Sequence, residues 1–299
     1  MIATGLVLLP DFLLIVAGAL LARLRVFDAA FWAGAERLVY FVLFPALLFR
    51  SLATGASSIG DSLPLVATGL AFTIFGIVLS FLARFLFHLR RGEFAACFQC
   101  GFRFNTYLAL AVAERLQGPR GLAAITLLVG VLVPVVNVAA VGVLASDRRW
   151  GVLPALGRNP LVLACVAGLA WAVLGWPLPD LPNRVLASLG GASLALGLLT
   201  VGAALKLGVE GGLPLPAAAY WTGLKLVALP ACAWIVGRAL DLQSPLLQVA
   251  VIMAAVPTAP SAYVLATQMS EHGRPVAFLV TTGTLFAVIT LPLWLAATS

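Results

Sequence analysis

Two basic residues, Arg103 and Lys225, stand deep inside long apolar runs of the 299-residue chain. Each lies about 14 Å along its run at 1.5 Å per helical residue. A cation withheld from water is costly, and within a membrane such residues are generally functional. An interior that offers cations suits a negatively charged solute.

Around Arg103 the sequence reads Arg103-Phe104-Asn105-Thr106-Tyr107, and the second half of the chain carries Pro257-Thr258-Ala259-Pro260-Ser261-Ala262-Tyr263. Both stretches disrupt a helix. Pro257 and Pro260 have no backbone N–H and clash with the preceding turn, so the carbonyls of Met253 and Val256 lose their usual partners. In lipid such groups must face protein or a wet cavity. Asn105 competes for backbone groups, and Gly101 adds conformational freedom. A break also begins a new half-helix, whose N-terminus carries free N–H groups and partial positive charge suited to an anion. Half-helices starting near Thr106 and Ser261, facing each other, would form an anion cradle.

The candidate solute-binding residues are therefore Arg103, Asn105, Thr106, Tyr107, Asn137, Lys225, Pro257, Thr258, Pro260, Ser261 and Tyr263. Blander roles stand beside these. Lys225 can snorkel or bond to a carbonyl, Arg103 can brace crossing helices, and Asn137 can hydrogen-bond between helices. Pro45, Pro134, Pro230 and Pro292 read as simple kinks.

Enzymatic chemistry finds little material. Membrane hydrolases need paired carboxylates, a metal cluster or a nucleophile with its base. All eleven acidic residues are read at span ends or in loops, and His88 and His272 fall in loops. Cys97 and Cys100 have the spacing of a redox motif but no βαβ setting. No catalytic residue, metal or cofactor is expected.

The elements that hold these residues are read from hydropathy. Hydrophobic residues make up 62% of the chain, charged residues 10%, and the mean hydropathy is +1.09. A soluble domain is about 25% charged, so lipid must be the main solvent. A span takes roughly 20 apolar residues. Ten runs of that kind are predicted, at 4–24, 32–53, 62–87, 94–116, 120–145, 159–176, 184–205, 216–238, 246–269 and 274–297. The first is read as a span and not as a cleaved signal. Continuous apolar runs exclude a β-barrel. The net charge of +7 is read as orientation and not as nucleic-acid binding. Eleven of the eighteen Lys and Arg flank the odd-numbered loops and five the even-numbered ones. That bias puts the odd loops in the cytoplasm and both termini outside, in an inner membrane.

The halves also resemble each other. Pro10 followed by Val16-Ala17-Gly18 matches Pro160 followed by Val166-Ala167-Gly168, and Leu63-Pro64 matches Leu215-Pro216. Glu36-Arg37-Leu38 corresponds to Asn183-Arg184-Val185 and Pro134 to Pro292. Five spans per half is an odd number, so the second half must be inverted, as is common in transporters. The expected fold is thus an all-α membrane protein of ten transmembrane helices in two inverted five-helix repeats, with helices four and nine broken. Residues 1–145 form the first repeat, 146–158 a short cytoplasmic connection, and 159–299 the second repeat.

With these residues the chain resembles the auxin efflux carrier family, which includes plant auxin carriers and bacterial malonate-type permeases. The resemblance is carried, in order, by Phe44-Pro45, Arg103-Phe104-Asn105-Thr106, Gly118-Pro119-Arg120-Gly121, Pro134-Val135-Val136-Asn137, Asn159-Pro160 and Pro257-Thr258-Ala259-Pro260. It implies the fold of the bile acid:sodium symporter superfamily, with the broken helices four and nine crossed. Spans one, two, six and seven would form a scaffold, and the remaining six a domain that moves as an elevator. It also implies carboxylate substrates. Sodium-coupled relatives carry acidic and amide residues around the crossover and span nine of this chain carries no carboxylate, which argues against sodium; the coupling ions weighed are protons and, for the alternative of a sodium-coupled symporter, Na+. The expected partners are a small organic anion, the lipid bilayer and a second copy in a homodimer.

Overall fold

The computed structural model describes residues 2–55, 62–144, 159–206, 212–269 and 272–298, and among these it contains helices and no strand. The connection expected at 146–158 lies outside the described residues. In chain order the helices are α1 (Ile2–Arg23), α2 (Ala29–Leu38), α3 (Phe44–Gly55), α4 (Ser62–Leu86), α5 (Arg91–Phe98), α6 (Thr106–Leu144), α7 (Pro160–Val173), α8 (Asp180–Ala204), α9 (Leu215–Gly223), α10 (Leu229–Ala239), α11 (Leu246–Ala255), α12 (Ser261–Met269) and α13 (Gly273–Thr298).

Several boundaries follow directly from local chemistry. Asp28 accepts a hydrogen bond from the Phe31 N–H at 2.7 Å and starts α2. Asn159 does the same for Leu161 at 3.0 Å, with Pro160 at the first helical position. Such caps satisfy amide groups that have no carbonyl one turn back. Two of the prolines read as kinks are accommodated by wider turns. A π-helical turn at Val39–Leu43 precedes Pro45, and another at Leu224–Ala228 precedes Pro230. Gly118, at φ 59° and ψ −148°, bends α6 into two arms. Only glycine occupies that backbone region without strain.

Among the described residues, six stretches are long and apolar enough to cross a membrane by length and composition: Ala29–Thr54, Ser62–Leu86, Arg91–Leu144, Asp180–Ala204, Leu215–Ala239 and Gly273–Thr298. Ten were expected. The expected fourth and fifth spans both lie within Arg91–Leu144, where Gly118 bends the chain between them, and the ninth is cut in two at Val256–Pro260. Outside the bundle the large side chains are apolar, with Leu215 and Val173 both 77% exposed and Phe85 73% exposed. That surface fits hydrocarbon.

Two sets of helices pack most closely. In the first, α1 runs along α8, and α3 lies on both α7 and α8. Backbones approach closely here. A Cβ on Gly18 would meet the Leu199 carbonyl, and one on Gly202 would meet that of Ile15. Small residues permit such contact where lipid removes any hydrophobic drive between helices. In the second set, α4 packs on α10, α10 on α11, and α11 on α6 and α13.

One sequence reading is corrected. Asp11 is not at a span end. It sits inside α1, 2% exposed, and binds Arg115 through two hydrogen bonds, Nε to Oδ2 at 2.9 Å and Nη2 to Oδ1 at 2.7 Å. A buried carboxylate persists when a charged partner and hydrogen bonds hold it, and a linear count of apolar residues does not see that partner.

Candidate functional site

The breaks expected around Arg103–Thr106 and Pro257–Ser261 meet in the core. Helix α5 tightens into a 3-10 turn at Gln99–Gly101, and the chain resumes as helix only at Thr106. Helix α11 ends at Ala255 and α12 begins at Ser261. The two unwound segments are bonded to each other: the Asn105 N–H donates to the Pro257 carbonyl at 2.8 Å. The Thr258 hydroxyl donates to the Cys100 carbonyl at 2.7 Å, and the Gln99 side-chain amide donates to the Ala262 carbonyl at 3.1 Å. Backbone freed from one helix is thus satisfied by the other, as burial requires. Asn105 also caps the new half-helix, its Oδ1 accepting from the Leu108 N–H at 3.2 Å. Its Nδ2 has no hydrogen-bond partner although the residue is fully buried.

Arg103 is 7% exposed. One guanidinium nitrogen donates to Asn137 Oδ1, another lies 3.4 Å from Ser261 Oγ, and Nε is buried without a partner. Among the described residues no carboxylate lies within ion-pair distance of it. The guanidinium lines a cavity of about 690 Å³, together with Thr106, Asn137 and Ser261 from the broken elements. Tyr40, Phe41, Glu36 and Arg37 form another wall, Asn159 and Leu161 a third, and Phe104, Val133, Val136 and Val264 supply apolar surface. A smaller cavity of about 100 Å³ adjoins it, lined by Tyr107, Pro260 and Thr200 as well as by Thr106 and Ser261. The N-termini of both resumed half-helices therefore open on the space that Arg103 enters. The charged side chains on the large cavity are Arg37 and Arg103 against Glu36, a positive balance.

The remaining candidates separate. Pro257 and Asn105 hold the crossing together and do not line the large cavity. Tyr107 packs edge-on against Phe44, ring centroids 4.7 Å apart. Tyr263 lies away from both cavities, with Lys206 Nζ 6.0 Å from its ring centre. Thr258 and Lys225 are on another side of the crossing, around a void of only about 10 Å³. Lys225 is 2% exposed and donates to the Ala254 carbonyl at 2.5 Å. Of the two roles read for it from sequence, contact with solute in the large cavity and a bond to a carbonyl, the second matches its position.

Sequence reasoning passed over Glu36, Arg37, Tyr40, Phe104 and Asn159 as site residues. Glu36-Arg37 and Asn159-Pro160 were legible only as a repeat match and a family motif. Tyr40 gives no linear signal, because it reaches the cavity from a different helix. Among the described residues no group of three or more His, Cys, Asp or Glu comes together.

Paired helix breaks beside a cavity that holds an arginine, in a bundle with an apolar exterior, fit a multi-pass membrane transport protein. The family model described as membrane transport protein, that of the auxin efflux carrier family which the sequence motifs resemble, matches residues 151–295, just under half of the chain. No curated protein matches the chain.

Proposed function

We propose that the protein is a secondary carrier of small organic anions, chiefly carboxylates, working by an elevator-like alternation of access. The observation that carries this reading is the cavity at the crossing. A guanidinium with no carboxylate partner among the described residues and two half-helix N-termini face the same space of about 690 Å³, within the usual range of roughly 300–1,000 Å³ for small-ligand pockets. A carboxylate placed there gains charge-assisted hydrogen bonds and the favourable end of two helix dipoles.

The carrier is built as ten spans in two inverted repeats, residues 1–145 and 159–299, with spans four and nine crossed. The packing supports a division into a scaffold of α1 to α3, α7 and α8, and a moving group of the other helices. The cavity lies between these sets, because Tyr40 and Leu161 come from the first and Arg103, Asn137 and Ser261 from the second. Displacement of the second set would carry the bound anion with it. The Lys and Arg bias supports an inner-membrane orientation with both termini outside. In that orientation the exposed Ala33, Glu36 and Arg37 put the mouth of the cavity on the cytoplasmic side.

The test is counterflow of radiolabelled mono- and dicarboxylates in proteoliposomes. At least one should exchange in wild type. Arg103→Ala should reduce its exchange about 100-fold, while Arg103→Lys, a point charge without the planar fork, keeps a fraction. Normal exchange in Arg103→Ala of unchanged size-exclusion profile would overturn the proposal, as would wild-type exchange confined to neutral or cationic solutes.

A further inference from the structure

The two packed sets of helices share a long boundary, and an ion pair spans it. Asp11 belongs to α1 in the first set and Arg115 to α6 in the second, and two hydrogen bonds of 2.9 and 2.7 Å join them. The Asp11 side chain is 2% exposed and that of Arg115 38%. Elsewhere on the boundary the contacts are weaker. Thr126 Oγ1 lies 3.4 Å from Ser51 Oγ, Cys165 Sγ lies 3.8 Å from the Thr126 carbonyl, and Tyr107 packs edge-on against Phe44. Such contacts adapt to sliding, whereas a two-bond pair between guanidinium and carboxylate has one register. A firm joint alone would not call for an ion pair here, because well-packed apolar residues of similar volume hold a buried boundary at least as well.

We infer that the Asp11–Arg115 pair is a latch: it holds the carrier with the cavity mouth on the cytoplasmic side and opens each time the second set of helices moves. The inference rests on the elevator reading proposed above, in which Asp11 stays in place and Arg115 leaves. A relative displacement beyond about 4 Å takes the two charges out of ion-pair distance. Arg115 already reaches solvent, so water replaces its partner at small cost. Asp11 has no such exchange. It lies in α1 among Leu8, Phe12 and Ile15, all buried, and a carboxylate left there without its cation is strongly disfavoured. The pair therefore favours one state over the other. Neither residue lines the cavities around Arg103, so the latch sets how often the site opens to each side without touching the solute.

The test reads the state of the cavity directly. Val264 lines it from α12, in the moving set. Val264→Cys is labelled with a membrane-impermeant maleimide in right-side-out and inside-out vesicles, alone and combined with Asp11→Asn, Arg115→Lys or Glu114→Gln. Protein without Val264→Cys gives the background from the four native cysteines. Asp11→Asn keeps an acceptor for Arg115 but no charge, so labelling from the outside should rise about tenfold or more. Labelling from the cytoplasmic side should not rise with it, and the apparent KM for external carboxylate in counterflow should fall. Arg115→Lys keeps the charge without the fork and should lie between wild type and Asp11→Asn. Glu114→Gln removes an equal charge from the exposed neighbour of Arg115 and should leave labelling unchanged. Outside labelling of Asp11→Asn within about twofold of Val264→Cys alone would overturn the latch, as would an equal rise in Glu114→Gln. The first result together with a lowered unfolding temperature would make the pair a structural joint only. Carboxylate counterflow in wild type judges the carrier reading separately: its absence would remove that reading, while the sidedness of labelling would still decide the latch.

Discussion

Arg115→Ala probes the buried ion pair that joins α1 to the arm of α6 beyond the crossing. Asp11 is 2% exposed and Arg115 38%, and two hydrogen bonds of 2.9 and 2.7 Å join them. Breaking a fully buried pair by removing one partner costs about 3–5 kcal/mol, since a bare charge is left behind. Arg115 is partly solvated, so screening lowers its share, and about 2–3 kcal/mol is expected. At roughly 2–4 °C per kcal/mol for a chain of this size, unfolding followed by tryptophan fluorescence in detergent should move down by about 5–10 °C. Asp11→Asn removes the charge that needs a partner. The double variant Asp11→Asn/Arg115→Ala should therefore be about as stable as Asp11→Asn alone and more stable than Arg115→Ala. Two outcomes refute the reasoning: Arg115→Ala unfolding within about 1 °C of wild type, or a double variant that loses the full sum of the single losses. Either would mean that water reaches Asp11 and that the pair holds nothing together.

Asn105→Ala removes the cap on the Leu108 amide and should cost about 1 kcal/mol; an unchanged unfolding temperature would show that the half-helix caps itself. Counterflow should fall in the same variant if the crossing geometry sets the anion site. Gly118→Ala forces a Cβ onto φ 59° and ψ −148° and should cost about 1–3 kcal/mol, even though no atom within 4 Å would clash with it. If the variant is as stable as wild type, the bend in α6 is soft.

The sequence alone determined the helical class, the lipid environment and the places where two helices must fail. Those are local matters. Pro257 and Pro260 lack amide hydrogens wherever they lie, and Asn105 caps the turn that follows it whatever packs nearby, so the half-helices begin at Thr106 and Ser261 as the residues predict. The same locality made Arg103 legible, as a charge that an apolar run cannot leave alone. Tertiary structure alone decided which groups share a space. Asp11 finds Arg115 across 104 positions, Tyr40 reaches the cavity from a π-helical turn in another helix, and Lys225 lies behind the crossing and not in front of it. In lipid, apolar residues cover both the buried and the exposed sides of a helix, so no hydrophobic stripe marks which side meets its neighbours. Close backbone approach at glycines such as Gly18 and Gly202 sets that instead, and it belongs to pairs of helices and not to any one segment of sequence.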